Sequence, residues 1–280
     1  MRLLMLYLFI IIGFLSCSNI NHGNYPDSNP TPITNSLQVL EYRPAMGQFV
    51  NIMPEYEIGD TYQTMLKKAQ QALHDKSVVT LGGFGGYITL SLGEPIQNMP
   101  NQRDFRVLGN AFLSAPGAET GNSEPGIVLV SIDSNNNGLP DDEWYELAGS
   151  EYYKPETIHN YKKTWYKSDT TLANPFHRQP YFPMWLTDTI IEVEGTLLCS
   201  HTIDNGGVFT QQVLDYGYAD NRPNSDTIGT AFDLDWAVDK EGIPVQLGYC
   251  DFVRIQTAVN EVYPMVGELS TEVTGIELMY

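Results

Sequence analysis

Short apolar runs with a period of two, broken every few residues by Gly, Pro or Asn, govern what this chain can fold into. Ile88, Leu90 and Leu92 alternate with Tyr87, Thr89 and Ser91, and Phe105 and Val107 alternate in the next run. Ile191 and Val193, Val253 and Ile255, then Ile276 and Leu278 repeat the pattern. Residues two apart share one face of a strand, so each run describes a strand with a buried side. Ile127 to Ile132 is continuously apolar or small, as in a strand buried on both faces. One helix is expected: Tyr62, Met65, Leu66, Ala69 and Leu73 form a stripe at helical spacing. Asp60 stands as its N-cap with Gln63 three residues on, and His74-Asp75-Lys76 ends it. Many short strands and a single helix predict an all-β fold, a jelly roll or β-sandwich with one short N-terminal helix and long loops.

The first residues do not fit that pattern. Arg2 precedes an apolar run, Leu3 to Leu15, that is too short to cross a bilayer as a helix. It ends at Leu15-Ser16-Cys17, which resembles a bacterial lipobox: residues 1–16 read as a signal peptide and Cys17 as the lipidated residue. An ordinary secretory signal beside an incidental cysteine is the alternative. Residues 17–44, rich in Asn, Ser, Pro and Gly, read as a flexible tether, and 45–280 as a single β-sandwich ligand-binding domain. Lipid on Cys17 is then the only expected membrane attachment. The formal charge of −19 argues against nucleic acid as a partner. An exported chain can pair Cys199 with Cys250, but two cysteines give no framework, and the pairing stays open.

Ser131 to Trp144, SIDSNNNGLPDDEW, carries the spacing of a calcium loop. Asp133, Asn135 and Asn137 stand at positions 1, 3 and 5, Gly138 at the turn, Leu139 at the backbone-carbonyl position and Asp141 at position 9. Position 12 is Trp144 where an EF-hand has glutamate, so a bound Ca²⁺ needs a further ligand, Asp142 first and the acids after Asp215 second. A polar Asn-Gly turn is the competing reading.

A second acidic stretch holds Asp215, Asp220, Asp226, Asp233, Asp235 and Asp239. Of these, Asp220, Asp226, Asp233 and Asp235 are candidates for a second cation site, against a reading as solvated acidic loops. Aromatic residues crowd between Trp144 and Trp185, and Trp165, Tyr166, Phe176, His177, Tyr181, Phe182 and Trp185 are the candidate ligand-binding rings. Three prolines in Asn174–Trp185 argue against a central strand there. The glycine-rich LGGFGGY of Leu81–Tyr87 lacks the Lys-Ser/Thr of a phosphate loop and reads as a turn where backbones approach closely. HExxH, GxSxG and CxxC are all absent from the sequence.

The segments PAMGQFVNIMPEYEIGDTYQTMLKKA, VVTLGGFGGYITL, DFRVLGNAF, EPGIVLVSIDSNNNGLPDDEWYELAGSEY, DYGYADNRPNSD, AFDLDWAVD and DFVRIQTAVN together resemble a family of Bacteroidetes cell-surface lipoproteins. The likeness runs from about Ala45 to Tyr280. It implies a galactose-binding-type jelly roll and surface display on the outer membrane. It also implies association with TonB-dependent transporters, co-encoded surface lipoproteins, and uptake loci for vitamin B12 and related corrinoids. The family's calcium-type loop maps onto Asp133, Asn135, Asn137, Leu139, Asp141 and Asp142. The stretch after Cys17 lacks the acidic run associated with surface export, which leaves a periplasm-facing position open. The leading expectation is a non-catalytic lipoprotein that captures a corrinoid for uptake. A carbohydrate-binding module of a glycan-uptake system and a glycosidase or esterase on a β-scaffold are the alternatives.

Overall fold

The computed structural model describes residues 37–167, 181–263 and 266–280. The signal peptide, Cys17, most of the tether, Phe176 and His177 lie outside the described residues. The strands that position the site are β1 (Gln38–Arg43), β2 (Tyr87–Gln97), β3 (Phe105–Leu108), β4 (Gly126–Ser131), β5 (Trp144–Leu147), β6 (Ile158–Tyr166), β7 (Ile190–Leu197), β8 (Ala231–Phe232), β9 (Ala237–Val238), β10 (Tyr249–Thr257) and β11 (Gly275–Leu278). The fold is mostly β with one α-helix, α1 (Tyr62–His74), among the described residues.

Six strands form the main antiparallel sheet in the order β1-β2-β10-β4-β5-β9. Three more form a smaller sheet, β8-β3-β11, while β6 and β7 pair as a long hairpin. The alternating residues sort as their period demands. Ile88, Leu90, Val128, Val130, Val253 and Ile255 turn one face of the main sheet into a shared core with Phe105, Val107, Phe232 and Ile276. Met65, Ala69 and Leu73 of α1 enter the same core. Burial of this apolar surface is the main favourable term in the fold.

Two boundaries differ from expectation. The folded part starts before residue 45: Gln38–Arg43, assigned by composition to the tether, is the edge strand β1, registered along β2 from Gln38↔Ser91 to Arg43↔Tyr87. Val39 and Tyr42 supply the buried side chains that hold it there. The helix is capped by Thr61, whose Oγ1 accepts from the Thr64 N–H at 3.3 Å. Asp60 instead pairs with Lys68 at 2.7 Å.

The glycine-rich turn is a close backbone approach. A β-carbon on Gly86 would lie 1.9 Å from the Leu81 carbonyl oxygen and 2.4 Å from the Ala45 nitrogen. Only glycine lets the two segments pass at that distance.

Candidate functional site

The outer face of the main sheet carries one row of side chains across its strands. Register places Arg254 of β10 opposite Leu129 of β4, and Leu129 opposite Glu146 of β5. These residues, with Trp144 and Gln256, floor a cleft of about 230 Å³ walled by the β6–β7 hairpin and by Tyr152 and Asp239. The Gln256 Nε2 ties hairpin to sheet by donating to the Glu194 carbonyl at 2.8 Å. The Arg254 guanidinium is fixed on both sides, 4.1 Å from the Trp144 ring centroid and 4.4 Å from that of Tyr87. Its Nη2 donates to Glu41 at 2.7 Å, so its charge is matched and its position set.

Glu146 is the unusual group of the cleft. Burial pushes its carboxyl up to about 7, against the opposing pull of the Thr196 hydrogen bond. Its Oε2 lies 2.6 Å from Thr196 Oγ1. Thr196 Oγ1 is in turn 3.3 Å from His159 Nδ1, and His159 Nε2 is 3.1 Å from the Tyr152 carbonyl oxygen. Tyr152 itself is pushed up to about 12, first by burial and then by the Glu146 charge. A perturbed carboxyl in a cleft lined by aromatic and hydrogen-bonding groups is the arrangement expected of a binding or catalytic site.

A second constellation lies inside the protein. Glu124, Asp220 and Glu272 bring carboxylate oxygens within 4.8 Å of one another, and all three are buried. Asp220 Oδ1 accepts from the N–H groups of Asn110 and Ala111 at 2.8 and 2.9 Å. Glu272 Oε1 accepts from Ser270 Oγ at 2.7 Å and Thr80 Oγ1 at 3.0 Å. The Glu124 carboxylate accepts from the Ser270 N–H at 3.2 Å and Asn122 Nδ2 at 3.1 Å. Desolvation, then the charge of Asp220, pushes Glu124 up to about 8. Desolvation, then the other acids, pushes Asp220 and Glu272 well above the carboxylate range. Such a group can hold a metal ion, or it can share protons; either removes the repulsion of three buried charges.

In the loop read as calcium-type, the oxygen-bearing side chains hydrogen-bond to one another and to the loop backbone. Asp133 accepts from the N–H groups of Asn137 and Gly138 at 3.0 and 2.8 Å. Asn135 Oδ1 accepts from the Asn137 N–H, and Asn137 Oδ1 from the Leu139 N–H. The Nδ2 groups of Asn135 and Asn137 donate to Asp141. Asp142 Oδ2 is buried without a hydrogen-bond partner among the described residues. The acid that meets the start of the loop is Asp251, accepting from the Asp133 N–H at 2.8 Å.

The other expected site residues divide. Asp220, Asp226, Asp233 and Asp235 do not form one site. Asp220 belongs to the buried triad, and Asp226 Oδ1 accepts from the Gly229 N–H. Asp233 pairs with Arg103 at 2.9 Å, while Asp235 accepts from Asn98. Leu234–Trp236 is a 3₁₀ turn, so Asp233 and Asp235 do not share a strand face. The expected ring platform is corrected too: Trp165, Tyr181, Phe182 and Trp185 are buried. Trp165 Nε1 donates to the Phe84 carbonyl at 3.0 Å, and Trp185 stacks on Tyr42 with centroids 5.9 Å apart. Tyr166 alone of the described candidates is exposed. Cys199 and Cys250 are separate thiols, exposed and buried respectively.

Sequence reading passed over Glu146, His159, Arg254, Glu124 and Glu272. The outward phase of Glu146 and Arg254 was available from strand alternation, since each is flanked by residues of inward phase. The triad left no such signal, because its acids meet only in space. No protein-family model matches the chain, and no curated protein matches it in sequence. Among the described residues, no helix is long and apolar enough to cross a membrane.

Proposed function

We propose that this protein is a non-catalytic capture protein, a lipid-anchored lipoprotein of the bacterial outer membrane that binds a nutrient and passes it to a TonB-dependent transporter. The cleft over Glu146 is the observation that supports capture: a pre-formed recess with an indole, a fixed guanidinium and several hydrogen-bonding groups. The resemblance to surface lipoproteins of corrinoid-uptake loci makes a vitamin B12-type corrinoid the first ligand to test. A recess of about 230 Å³ is below the roughly 300–1,000 Å³ of sites that enclose a drug-sized ligand, so a corrinoid would enter by an edge. A glycan is the second reading, favoured by the Trp144 ring standing beside Glu146 and Gln256 on the cleft floor. The non-catalytic reading is supported by the other carboxylates of the cleft, which are engaged elsewhere. Asp239 Oδ1 accepts from the Glu241 and Ile243 N–H groups, and Glu194 pairs with Lys162.

Two finer assignments belong with this reading. The paired antiparallel sheets are assigned to a galactose-binding-type jelly roll. The loop of Asp133, Asn135, Asn137, Leu139, Asp141 and Asp142 is assigned to structural Ca²⁺, with support from its spacing and the unpartnered Asp142 Oδ2.

Calorimetry of the full chain in detergent, with calcium present, tests the function against cyanocobalamin and a glycan panel. The expected result is corrinoid binding that weakens in Trp144→Ala. Absence of binding at high micromolar cyanocobalamin overturns the corrinoid reading, and glycan binding in its place establishes the second.

A further inference from the structure

One wall of the cleft holds two polar groups in place without using them up. Tyr152 is 7% exposed and lines the cleft. Its ring is fixed edge-on against Tyr153, with centroids 4.9 Å apart, and tilted on His159 at 4.4 Å. Its hydroxyl is hydrogen-bonded to none of the described residues and is not closed off from solvent. The hydroxyl lies over the turn that follows β9: a β-carbon on Gly242 would stand 3.3 Å from it. The same turn carries Asp239, whose carbonyl accepts from the Gly242 N–H at 2.9 Å. Asp239 Oδ1 accepts from the Glu241 and Ile243 N–H groups at 3.0 and 2.8 Å. That fixes the carboxylate and leaves Oδ2 without a partner among the described residues. Burial first, then the charges of Glu146 and Asp239, push the Tyr152 hydroxyl up to about 12, so it keeps its proton. The wall therefore offers a fixed donor beside a fixed acceptor.

We propose that Tyr152 and Asp239 form a carboxamide-recognition subsite of the cleft: the Tyr152 O–H donates to the carbonyl of an amide on the ligand, and Asp239 Oδ2 accepts from its N–H. The inference rests on the cleft being the capture site and names the ligand group that enters it. A carboxamide presents an acceptor and a donor side by side in one plane, the complement of the pair in the wall. Its plane can lie on the Trp144 indole and its alkyl stem on Ile127 and Leu129, which share the lining. A recess of about 230 Å³ takes such a side group of a large ligand and not its whole body. An anionic group would face Glu146, Glu194 and Asp239, while Arg254 is matched by Glu41 and Lys240 stands 3.8 Å from Glu241. An ammonium would have to shed its water to reach the Tyr152 hydroxyl, and it offers that proton no acceptor. Two ligand classes carry the group: a corrinoid, in the primary amides on its rim, and an N-acetylated glycan, in its acetamido groups.

Calorimetry of the full chain in detergent, with calcium present, tests the subsite with matched probes. Cyanocobalamin is compared with cyanocobalamin whose rim amides have been hydrolysed to carboxylates. Chitotriose, the trimer of N-acetylglucosamine, is compared with the glucosamine and glucose trimers, which carry an ammonium or a hydroxyl in place of the acetamido group. The expected result is that one amide-bearing probe binds about tenfold or more tighter than its counterparts; which of the two does so fixes the source of the amide. Tyr152→Phe removes the donor and no protein hydrogen bond, so it should weaken that binding by about three- to tenfold. Asp239→Asn keeps an oxygen for the turn but sets an N–H₂ in place of Oδ2, so it should weaken binding about tenfold or more. Urea unfolding of both variants accompanies the titrations, and if Asp239→Asn loses stability, Tyr152→Phe decides. Binding that Trp144→Ala abolishes but Tyr152→Phe and a stable Asp239→Asn leave unchanged overturns the subsite and keeps the capture reading. Equal or tighter binding of the carboxylate, ammonium or hydroxyl counterpart does the same. Absence of binding by cyanocobalamin and by chitotriose overturns both.

Discussion

The backbone N–H of Glu272 donates to Asp220 Oδ2 at 2.8 Å, joining two acids that are also neighbours of Glu124 in a site closed to solvent. Carboxylate oxygens of Glu124, Asp220 and Glu272 lie within 4.8 Å of one another, so without a cation protons must offset their repulsion. Their raised values make stability fall with rising pH: the folded state holds protons that the unfolded chain releases near the ordinary carboxylate range. That contribution is complete below about pH 4.5 and is lost as pH rises through about 8, the value for Glu124. Urea unfolding between pH 5 and pH 9, without divalent cations, is expected to lose on the order of a few kcal/mol. Glu272→Gln should flatten the slope. A stability that rises over this interval would show that the triad is not holding protons.

Calcium at the Asp133 loop predicts a second, separate dependence. Chelation should lower the melting temperature by several degrees and millimolar calcium restore it, since extracellular calcium modules often bind at about 10⁻⁴–10⁻³ M. Asp133→Asn keeps one oxygen for the Asn137 N–H but removes the charge and the acceptor of the Gly138 N–H, so it should melt below the chelated wild type and ignore calcium. Asp142→Asn should weaken the response if its unpartnered Oδ2 closes the shell. Identical melting with chelator and with millimolar calcium would leave this loop a plain turn.

Gly86→Ala tests the close approach in the glycine-rich turn. The added methyl would meet the Leu81 and Ala45 backbones, which cannot swing aside as a side chain can. A loss of about 3 kcal/mol or more is expected. Gly59→Ala sets a contrast, because its cost should be limited to the strain of φ +101° with nothing within 4 Å of the new carbon. Similar losses at the two positions would argue against the contact.

How much of this was legible in the sequence follows from what fixes each feature. The phases of Ile88, Leu90 and Leu92, and of Val253 and Ile255, are local and were readable because strand geometry imposes a period of two. The helix stripe was readable for the same kind of reason, although Thr61 took the cap and left Asp60 free to pair with Lys68. Exposure of the aromatic run was not readable. Prolines near Tyr181 and Phe182 do exclude a central strand, yet an irregular segment can still pass beneath a hairpin, and Ala45, Met46 and Phe84 bury these rings. The triad depends on neighbours far apart in the chain: Glu272 pairs with Thr80 in register, and Glu124 donates its N–H to the Asp220 carbonyl. No spacing rule connects them.

The sharpest separation between core and ligand site is at Trp165. Its indole fills the space beneath the β6–β7 hairpin, Nε1–H satisfied by the Phe84 carbonyl and Lys163 Nζ 3.6 Å from the ring centroid. Truncation to alanine removes that packing and leaves a buried carbonyl without its donor, so a loss of about 3–5 kcal/mol is expected. Trp144 is only partly buried and faces the cleft, so Trp144→Ala should cost less stability and more affinity. Measured side by side by urea unfolding and by cyanocobalamin titration, the two tryptophans should change opposite quantities. If Trp165→Ala kept full stability and lost only binding, the ring would belong to the ligand surface after all.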